Sequence, residues 1–477
     1  MSDSRAYSLS HYTKKIERQT KVIFFLTTLI VSFLLVYFLR DPSFNPTQDY
    51  TLFLLFFAIG LWITEAIPPF AVGILIIGFL VFTMGSNPDI DVKQYVQTWS
   101  DGVIWLFLGG FFLAEAMHKT QLDVSLLKFV LPKLGSNSRN VLLGLMMVTA
   151  VLSMLMSNTA TTSMILGAIT PLILTLGNKA PLVRALIIGV PAAASLGGMG
   201  TIIGSAPNAI AVGALESVGI TISFIEWMII GLPAAAVLVF CFYKMLVHRY
   251  KLKTEIISLD FLAVNSATSS TDGEEENIKR NIVIVVLIGT LLLWLTSQWT
   301  GIPVAVVSGI PIILLTMLGI IDSKDVRKLP WDTLMLVAGG LSLGLAIQEQ
   351  GIAQYFIQSI EHFNLNYYVL IIIFGYASVV FSNFMSNTAA TTILVPLGIS
   401  LVSLISVANV AFLPIVIGLA ASCALFLPVS TPPNAVAFSL GVVDQKEFFP
   451  GGLLIALIGP AVIISFTLLI LNLLNLG

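Results

Sequence analysis

The hexapeptide Ser157-Asn158-Thr159-Ala160-Thr161-Thr162 returns 229 positions later, with one inserted alanine, as Ser386-Asn387-Thr388-Ala389-Ala390-Thr391-Thr392. Each copy is a small, polar patch inside a long apolar stretch. Each is followed by a second interruption carrying Pro-Asn: Ser205-Ala206-Pro207-Asn208, and Thr431-Pro432-Pro433-Asn434. Asn208 lies 51 positions beyond Ser157, and Asn434 lies 48 beyond Ser386. Irregular polar backbone at membrane depth is tolerated only where protein buries it or where it lines a cavity. Paired interruptions at corresponding places in two halves of a membrane chain point to a ligand site at the repeat interface.

The membrane setting follows from composition. Of 477 residues, 57% are hydrophobic and only 10% are charged, against about 25% charged in soluble domains. The net charge of −2 carries no information about partners, because it is the distribution that matters. The two cysteines, Cys241 and Cys423, sit in apolar runs and read as packing residues rather than a disulfide or metal pair. No metalloprotease, redox, nucleophile-elbow or phosphate-loop motif occurs in a supporting context, so an enzyme is not expected, nor an organic cofactor, nor nucleic-acid binding.

Apolar runs bounded by charge, Pro or Gly predict an all-α polytopic membrane protein, with spans at 22–39, 50–67, 70–84, from Val103, 182–215, 223–247, 281–299, 303–321, from Asp332, 411–440 and about 449–475. Its organisation reads as a polar, basic N-terminal segment (1–21) and a first half (22–248). That half contains a hairpin at about 140–177 and a broken helix at about 182–215. A hydrophilic connector, 249–280, leads to the second half (281–477), with a hairpin at about 367–407 and a broken helix at about 411–440. The run Val22–Leu39 ends at Arg40-Asp41-Pro42 without a small-residue cleavage site, so it reads as an uncleaved first span.

Charge tests the layout. With the N-terminus cytoplasmic and both hairpins returning to the side they left, 21 of the 23 Lys and Arg residues fall inside, leaving only Arg40 and Lys93 outside. A full crossing by either hairpin would scramble that bias. Both hairpins are therefore expected to be re-entrant, opening from opposite sides, which makes the two halves an inverted-topology repeat with the C-terminus outside. Gly109-Gly110 and Gly339-Gly340 extend the correspondence, 230 positions apart.

A hairpin tip exposes backbone groups that no intrahelical bond satisfies. Ser, Asn and Thr suit it because they cap helix N-termini. Helices starting near Ala160 and Ala389 would aim their positive ends at the tip, forming an anion cradle from N–H groups, hydroxyls and an amide. Two facing cradles suit a small ligand with two anionic ends. Carbonyls left at the arms and breaks suit a hard cation such as Na⁺. Ser153 and Ser382, four residues ahead of each patch, stand one turn away and add a hydroxyl. Neither patch nor either break contains Lys or Arg, so the donors are neutral and release is easier.

Together these motifs resemble the divalent anion/sodium symporter family, the INDY-type transporters. The likeness runs from Gly60-Leu61-Trp62-Ile63-Thr64-Glu65-Ala66-Ile67-Pro68 to the last span. It implies about eleven transmembrane helices plus two re-entrant hairpins, a homodimer in the lipid bilayer, and elevator-like movement of a transport domain. It also implies di- or tricarboxylate or sulfate substrates with Na⁺ as the coupling ion. Carried over by position, substrate would touch Ser157, Asn158, Thr159, Ser386, Asn387 and Thr388, with Thr431 and Pro432 beside it. One Na⁺ would lie at Ser153, Asn158 and the backbone near Gly204; a second at Ser382, Asn387 and the backbone near Ser430. The chain departs from the family pattern at Ser205-Ala206 and at Ser430, both beside the site. Sodium-coupled uptake of a C4-dicarboxylate such as succinate, malate or fumarate at the cell membrane is the leading expectation. The alternatives are a carboxylate exchanger or a sulfate transporter of the same fold.

Overall fold

Helix boundaries fall where side chains answer the free amides of a first turn. Asn45 and Gln48 form a reciprocal capping box ahead of Pro46–Thr64, and Ser223 and Glu226 do the same for Phe224–Arg249. Asp101 accepts from the Val103 N–H at the head of Gly102–Lys119, the capping role its place at a span end predicts. The computed structural model describes residues 2–130, 133, 135–257, 273–352, 366–402, 409–428 and 430–474. Among these no strand occurs, and the extended pairing is one isolated bridge between Asn137 and Ile256.

Among the described residues, nine helices are long and apolar enough to cross a membrane. Eight overlap spans read from the sequence; the ninth, Tyr367–Phe384, is the leading arm of the second hairpin. Two further expected spans, 70–84 and 303–321, are the apolar helices Pro69–Met84, which matches, and Val304–Met317, which is shorter; both have fewer residues than the nine. The latter stops before 321 because Gly319 turns the chain at φ 66°. The first helix starts at Ser2, so the polar N-terminal segment continues the same helix as the apolar run after it. Residues 258–272 of the expected connector lie outside the described residues, and 273–280 already belong to the helix Gly273–Leu295. Residues 403–407 of the second hairpin also lie outside them.

The fold divides into two compact units, one of residues 1–99 and 332–364, the other of 100–331 and 365–477. Each draws on both sequence halves, so the repeat and the compact unit are different divisions of the chain. The repeated Gly-Gly pairs act as close crossings within their own units. In the first unit a Cβ on Gly339 would meet the Gly73 Cα at 2.2 Å. In the second, a Cβ on Gly109 would meet the Ser308 Cβ at 2.7 Å. Small residues let helix backbones approach this closely in a membrane, where dispersion rather than hydrophobic burial holds helices together.

Both hairpins and both broken helices belong to the second unit, and their packing is exchanged. The helix after the first motif, Asn158–Ala168, packs on Pro432–Ser439, the far half of the second broken helix. The helix after the second motif, Asn387–Val402, packs on Ala206–Glu216, the far half of the first. Each repeat thus completes the surroundings of the other's hairpin.

Candidate functional site

The motif serines are the N-caps of the two tip helices. Ser157 Oγ accepts from the Ala160 N–H and Ser386 Oγ from the Ala389 N–H, both at 3.2 Å. The helices therefore begin at Asn158 and Asn387, two residues earlier than expected. Asn158, Thr159, Ser386, Asn387 and Thr388 are half-buried and Ser157 is exposed. At such tips the positive helix ends and short polar side chains stand together.

Behind the first tip, oxygens converge. Ser153 is the last residue of the arm Ser138–Ser153 and is fully buried. Its hydroxyl donates to Asn158 Oδ1 at 2.5 Å. That amide oxygen then faces the carbonyls of Ala194 and Gly204. With the amide turned about, its nitrogen donates to Ser153 Oγ at 2.5 Å and to Ala194 O and Gly204 O at 3.1 Å each. The surroundings favour the turned orientation, in which the amide nitrogen serves all three oxygens; a hard cation bound among them would instead call for the first, with the amide oxygen facing the two carbonyls. The backbone around this cluster is glycine for a reason. A Cβ on Gly198 would lie 2.6 Å from Asn158 Oδ1, and one on Gly204 would lie 3.0 Å from Ser153 O.

The second half repeats the parts in a different state. Ser382 Oγ and Asn387 Oδ1, the counterparts of Ser153 and Asn158, are buried atoms without a hydrogen-bond partner. A buried oxygen left unpaired costs about 1–3 kcal/mol, which a cation bound there would recover. Ser430 bends its hydroxyl into its own loop, accepting from Leu427 N–H at 2.8 Å and donating to Leu427 O at 2.9 Å. Its side chain is thereby occupied, leaving the backbone as the ligand it can offer. Thr431 is buried and caps Pro432–Ser439, while Pro432 is exposed. Both sets of residues are neutral oxygen donors of the kind Na⁺ accepts.

The Pro-Asn pairs hold the breaks open. Asn208 donates through Nδ2 to Gly198 O at 2.9 Å and Thr201 O at 2.8 Å. Asn434 donates to Leu427 O at 3.1 Å, reaching the carbonyl seven residues back just as Asn208 reaches Thr201. Each break is also tied to its own hairpin arm. Thr201 Oγ1 donates to Met154 O, and the Phe426 N–H donates to Asn383 Oδ1 at 3.1 Å. These bonds fix carbonyls that a helix would otherwise consume.

The sodium:sulfate symporter transmembrane region family matches residues 20–476. The chain belongs to this family. It is a polytopic membrane transporter of the symporter class rather than an enzyme. Similar relatives include the sodium-dependent dicarboxylate transporter SdcS of Staphylococcus saprophyticus, 29% identical over 84% of this chain and 82% of the relative. The SdcS of Staphylococcus aureus shows the same identity and coverage. An uncharacterized transporter of Haemophilus influenzae is 29% identical over 92% of this chain and 95% of its own length. Among solved structures, Neisseria gonorrhoeae MtrF, described as illuminating a class of antimetabolite efflux pumps, aligns with a TM-score of 0.55 at 11% identity. That alignment covers 84% of this chain and 94% of that one. The likeness to MtrF is one of fold.

Several buried polar residues beside the tips and breaks were given no role from the sequence. Ser195 and Ser422 are buried at the two breaks with unpartnered hydroxyls. They are 227 positions apart, within the offset range of the repeat, and that spacing was the available signal. Thr161 and Thr162 on the first tip helix are likewise buried and unpartnered. Gly198, and Ala194 through its carbonyl, carried no side-chain signal at all.

Proposed function

We propose that the protein couples Na⁺ to the uptake of a small dianion, a C4-dicarboxylate such as succinate, malate or fumarate. The observation that carries this reading is the neutral oxygen cluster of Ser153, Asn158, Ala194 and Gly204 directly behind an N-capped hairpin tip. Asn158 serves both groups. Its amide faces the oxygen cluster while its helix N-terminus faces the tip, so one residue reports cation occupancy to the anion side. In the second half Asn387 has the same double position, with Ser382 as its partner hydroxyl.

The electrostatics follow. Two carboxylates among neutral donors lack full compensation. A cation bound within the same polar shell lowers that cost, so each ion favours the binding of the other. Once the cation leaves, the dianion keeps only partial charges and dissociates. The site therefore avoids the tight hold that a fixed Arg would give. Substrate contacts are assigned to Ser157, Asn158, Thr159, Ser386, Asn387 and Thr388, with Thr431 and Pro432 at the edge. Na⁺ ligands are assigned to Ser153, Asn158 and Gly204, and to Ser382, Asn387 and the Ser430 backbone.

We place the moving part in the unit that holds both hairpins, with the hairpins re-entrant from opposite sides, and infer an elevator-like cycle in a homodimer. The N-terminus is assigned to the cytoplasm and the C-terminus to the outside from the distribution of Lys and Arg. The names of the SdcS relatives support a sodium-dependent dicarboxylate activity. Labelled-succinate uptake into proteoliposomes tests this, with and without an inward Na⁺ gradient and with citrate or sulfate as competitors. Uptake that ignores Na⁺ but requires an internal carboxylate would replace the symporter by an exchanger. Blockade by sulfate but not by succinate would replace the substrate.

A further inference from the structure

The helix Gly102–Lys119 ends in a tight corner ahead of Leu122–Val130. Gln121 turns the chain there at φ 52°, a left-handed conformation that a residue with a side chain keeps only when its surroundings hold it. Two ion pairs brace the corner. Lys119 takes Asp325 as its close partner and lies 3.7 Å from Asp322, which ties the helix end to Ser323–Lys328. His118 Nδ1 lies 3.3 Å from Asp123 Oδ2, on the far side of Gln121, so this pair closes the corner itself. Asp123 is fully buried, and its other oxygen accepts from the Val124 N–H at 2.7 Å. Its place in the first turn of its helix favours the charged carboxylate. The first pair keeps both charges throughout the neutral range, since each partner favours the other's ionised form. The second does not, because imidazole titrates there.

We propose that His118 and Asp123 form a pH-sensitive latch on the cytoplasmic exit beside the first hairpin tip. The apolar run of the helix stops ahead of Glu115. His118 stands past it with 65% of its side chain exposed, on the side assigned to the cytoplasm. Its ring lines a cavity of ≈ 550 Å³ with Glu115 and Lys328; Ser157 and Ala160 of the tip form another part of the wall, and the tip adds no charged side chain to it. Leu122–Val130, which the pair holds, packs on the hairpin arm Ser138–Ser153. The hydrogen bond to Asp123 strengthens the hold of His118 on its proton and burial weakens it. The charges of Asp123 and Glu115 strengthen it again and Lys328 opposes them, leaving the pKa above the usual 6.5. Because the folded value is the higher one, the stability that the pair contributes is fully present below the unfolded pKa. It is lost as pH rises through the folded one. With the imidazole charged, the ring is drawn to Asp123 and the corner is fastened. With it neutral, that attraction is gone and the ring is free to turn into the cavity. An acid cytoplasmic face thus keeps the passage beside Ser157 clear, and an alkaline one obstructs it. The consequence for transport rests on the assignment of the dianion to the tips; the corner latch does not.

Two measurements test the latch. Full-length wild type, His118→Gln and Asp123→Asn are melted in detergent between about pH 5.5 and about pH 8.5. Wild type is expected to exceed His118→Gln by about 1–3 °C at the acid end and to meet it at the alkaline end, while the two variants run parallel to each other. Labelled-succinate uptake is then followed in right-side-out membrane vesicles under one inward Na⁺ gradient. The outer pH stays at about 7.5 and the inner is set to about 6.0 or about 8.0, so the charge of the substrate outside never changes. Wild type is expected to run about two- to fivefold faster over the acid interior, the scale of a partly exposed pair, and His118→Gln at equal rates over both. A stability gap that does not change with pH overturns the latch, as does the same ratio of rates in wild type and His118→Gln. A gap that closes while uptake ignores the inner pH overturns its place at the exit. If wild type shows no Na⁺-dependent uptake at either inner pH, the functional assignment fails instead, and the melting curves still decide the latch.

Discussion

Replacing Gly198 by Ala puts a methyl group among the oxygens that we assign to Na⁺, and the structure supplies the size of the intrusion. The new Cβ would stand 2.6 Å from Asn158 Oδ1 and 2.7 Å from Gly204 O, whereas real Cβ atoms essentially never come within 3.0 Å of such neighbours. Gly204 O is backbone, and the Asn158 amide stems from the first residue of its helix, so neither moves freely. The cluster must therefore open by several tenths of an ångström. Gly198 itself has φ −56° and ψ −20°, an ordinary right-handed conformation that Ala adopts without strain. The penalty is therefore one of packing, about 1–3 kcal/mol for an overfilled site. Expressed in ion binding, at about 1.4 kcal/mol per factor of ten, it raises the Na⁺ half-saturation by roughly 5- to 150-fold. The assay is the Na⁺ dependence of labelled-succinate uptake, together with the rise in unfolding temperature that Na⁺ produces in detergent. Gly289→Ala is the control: a Cβ there meets nothing within 4 Å. Suppose Gly198→Ala unfolds at a lower temperature while its Na⁺ half-saturation stays within about twofold of wild type. The oxygen cluster is then merely a packing feature, and the assignment of Na⁺ to it is wrong.

Other consequences are simpler to state. Ser382→Ala removes a buried hydroxyl that has no hydrogen-bond partner; it should leave thermal stability without Na⁺ unchanged or slightly higher while weakening Na⁺-dependent stabilisation, as parallel melting curves will show. Asn208→Ala unties two carbonyls of the first break and Asn434→Ala one of the second. At about 1–3 kcal/mol for a buried group left unpaired, both should lower the unfolding temperature, Asn208→Ala the more, and a reversed order would refute the clamp. The Asp325 carboxyl lies outside the spans. Burial alone would raise its pKa, but the Lys119 hydrogen bond and the Asp322 amide outweigh that and hold it below 3.8. Its folded value is thus depressed, so the stability it contributes is fully present above the unfolded pKa and is lost as pH falls through the folded one. Melting curves between pH 3 and 7 should show Asp325→Asn destabilised at neutral pH and converging on wild type only below about pH 4; parallel curves throughout that range would dismiss the ion pair.

How much of this was legible beforehand depends on what each residue contributes. Ser157, Asn158, Ser386 and Asn387 were visible because an identical polar triplet interrupted two apolar stretches, and capping chemistry gave a reason for it. Asn208 and Asn434 were visible as motif members, but their role was not. Only the fold shows that each reaches back seven residues to hold a carbonyl away from helical pairing. Ser195 and Ser422 were hidden because a lone serine in an apolar run is unremarkable until its partner is sought at the repeat offset. Gly198 was hidden more deeply: its contribution is an absent side chain beside Asn158, which no spacing rule records. The span expected at 70–84 matches the helix Pro69–Met84, whereas the one expected at 303–321 comes out shorter, as Val304–Met317, because Gly319 turns the chain where hydropathy alone continues.

The exchanged packing gives the duplication a physical purpose. The helix Asn158–Ala168 rests on Pro432–Ser439, and Asn387–Val402 rests on Ala206–Glu216. A displacement of the far half of either broken helix is therefore felt at the opposite repeat's hairpin, while the near half bears on its own. The ties from each break to its own arm, through Thr201 to Met154 and through Asn383 to Phe426, close the circuit. On the Na⁺ assignment proposed above, a cation that tightens the first oxygen cluster would stiffen the Gly198–Gly204 segment and, through Ala206–Glu216, the second tip helix. Coupling between the two ion positions then requires no special relay, since each is built partly on the other's support. Double-mutant analysis measures it: Gly198→Ala and Ser382→Ala, combined, should depart from additivity in Na⁺ half-saturation by at least about 0.5 kcal/mol, the scale on which separated, independent sites remain additive. Strict additivity would mean that the two halves bind their ions independently, and the interlocked packing would then serve stability alone.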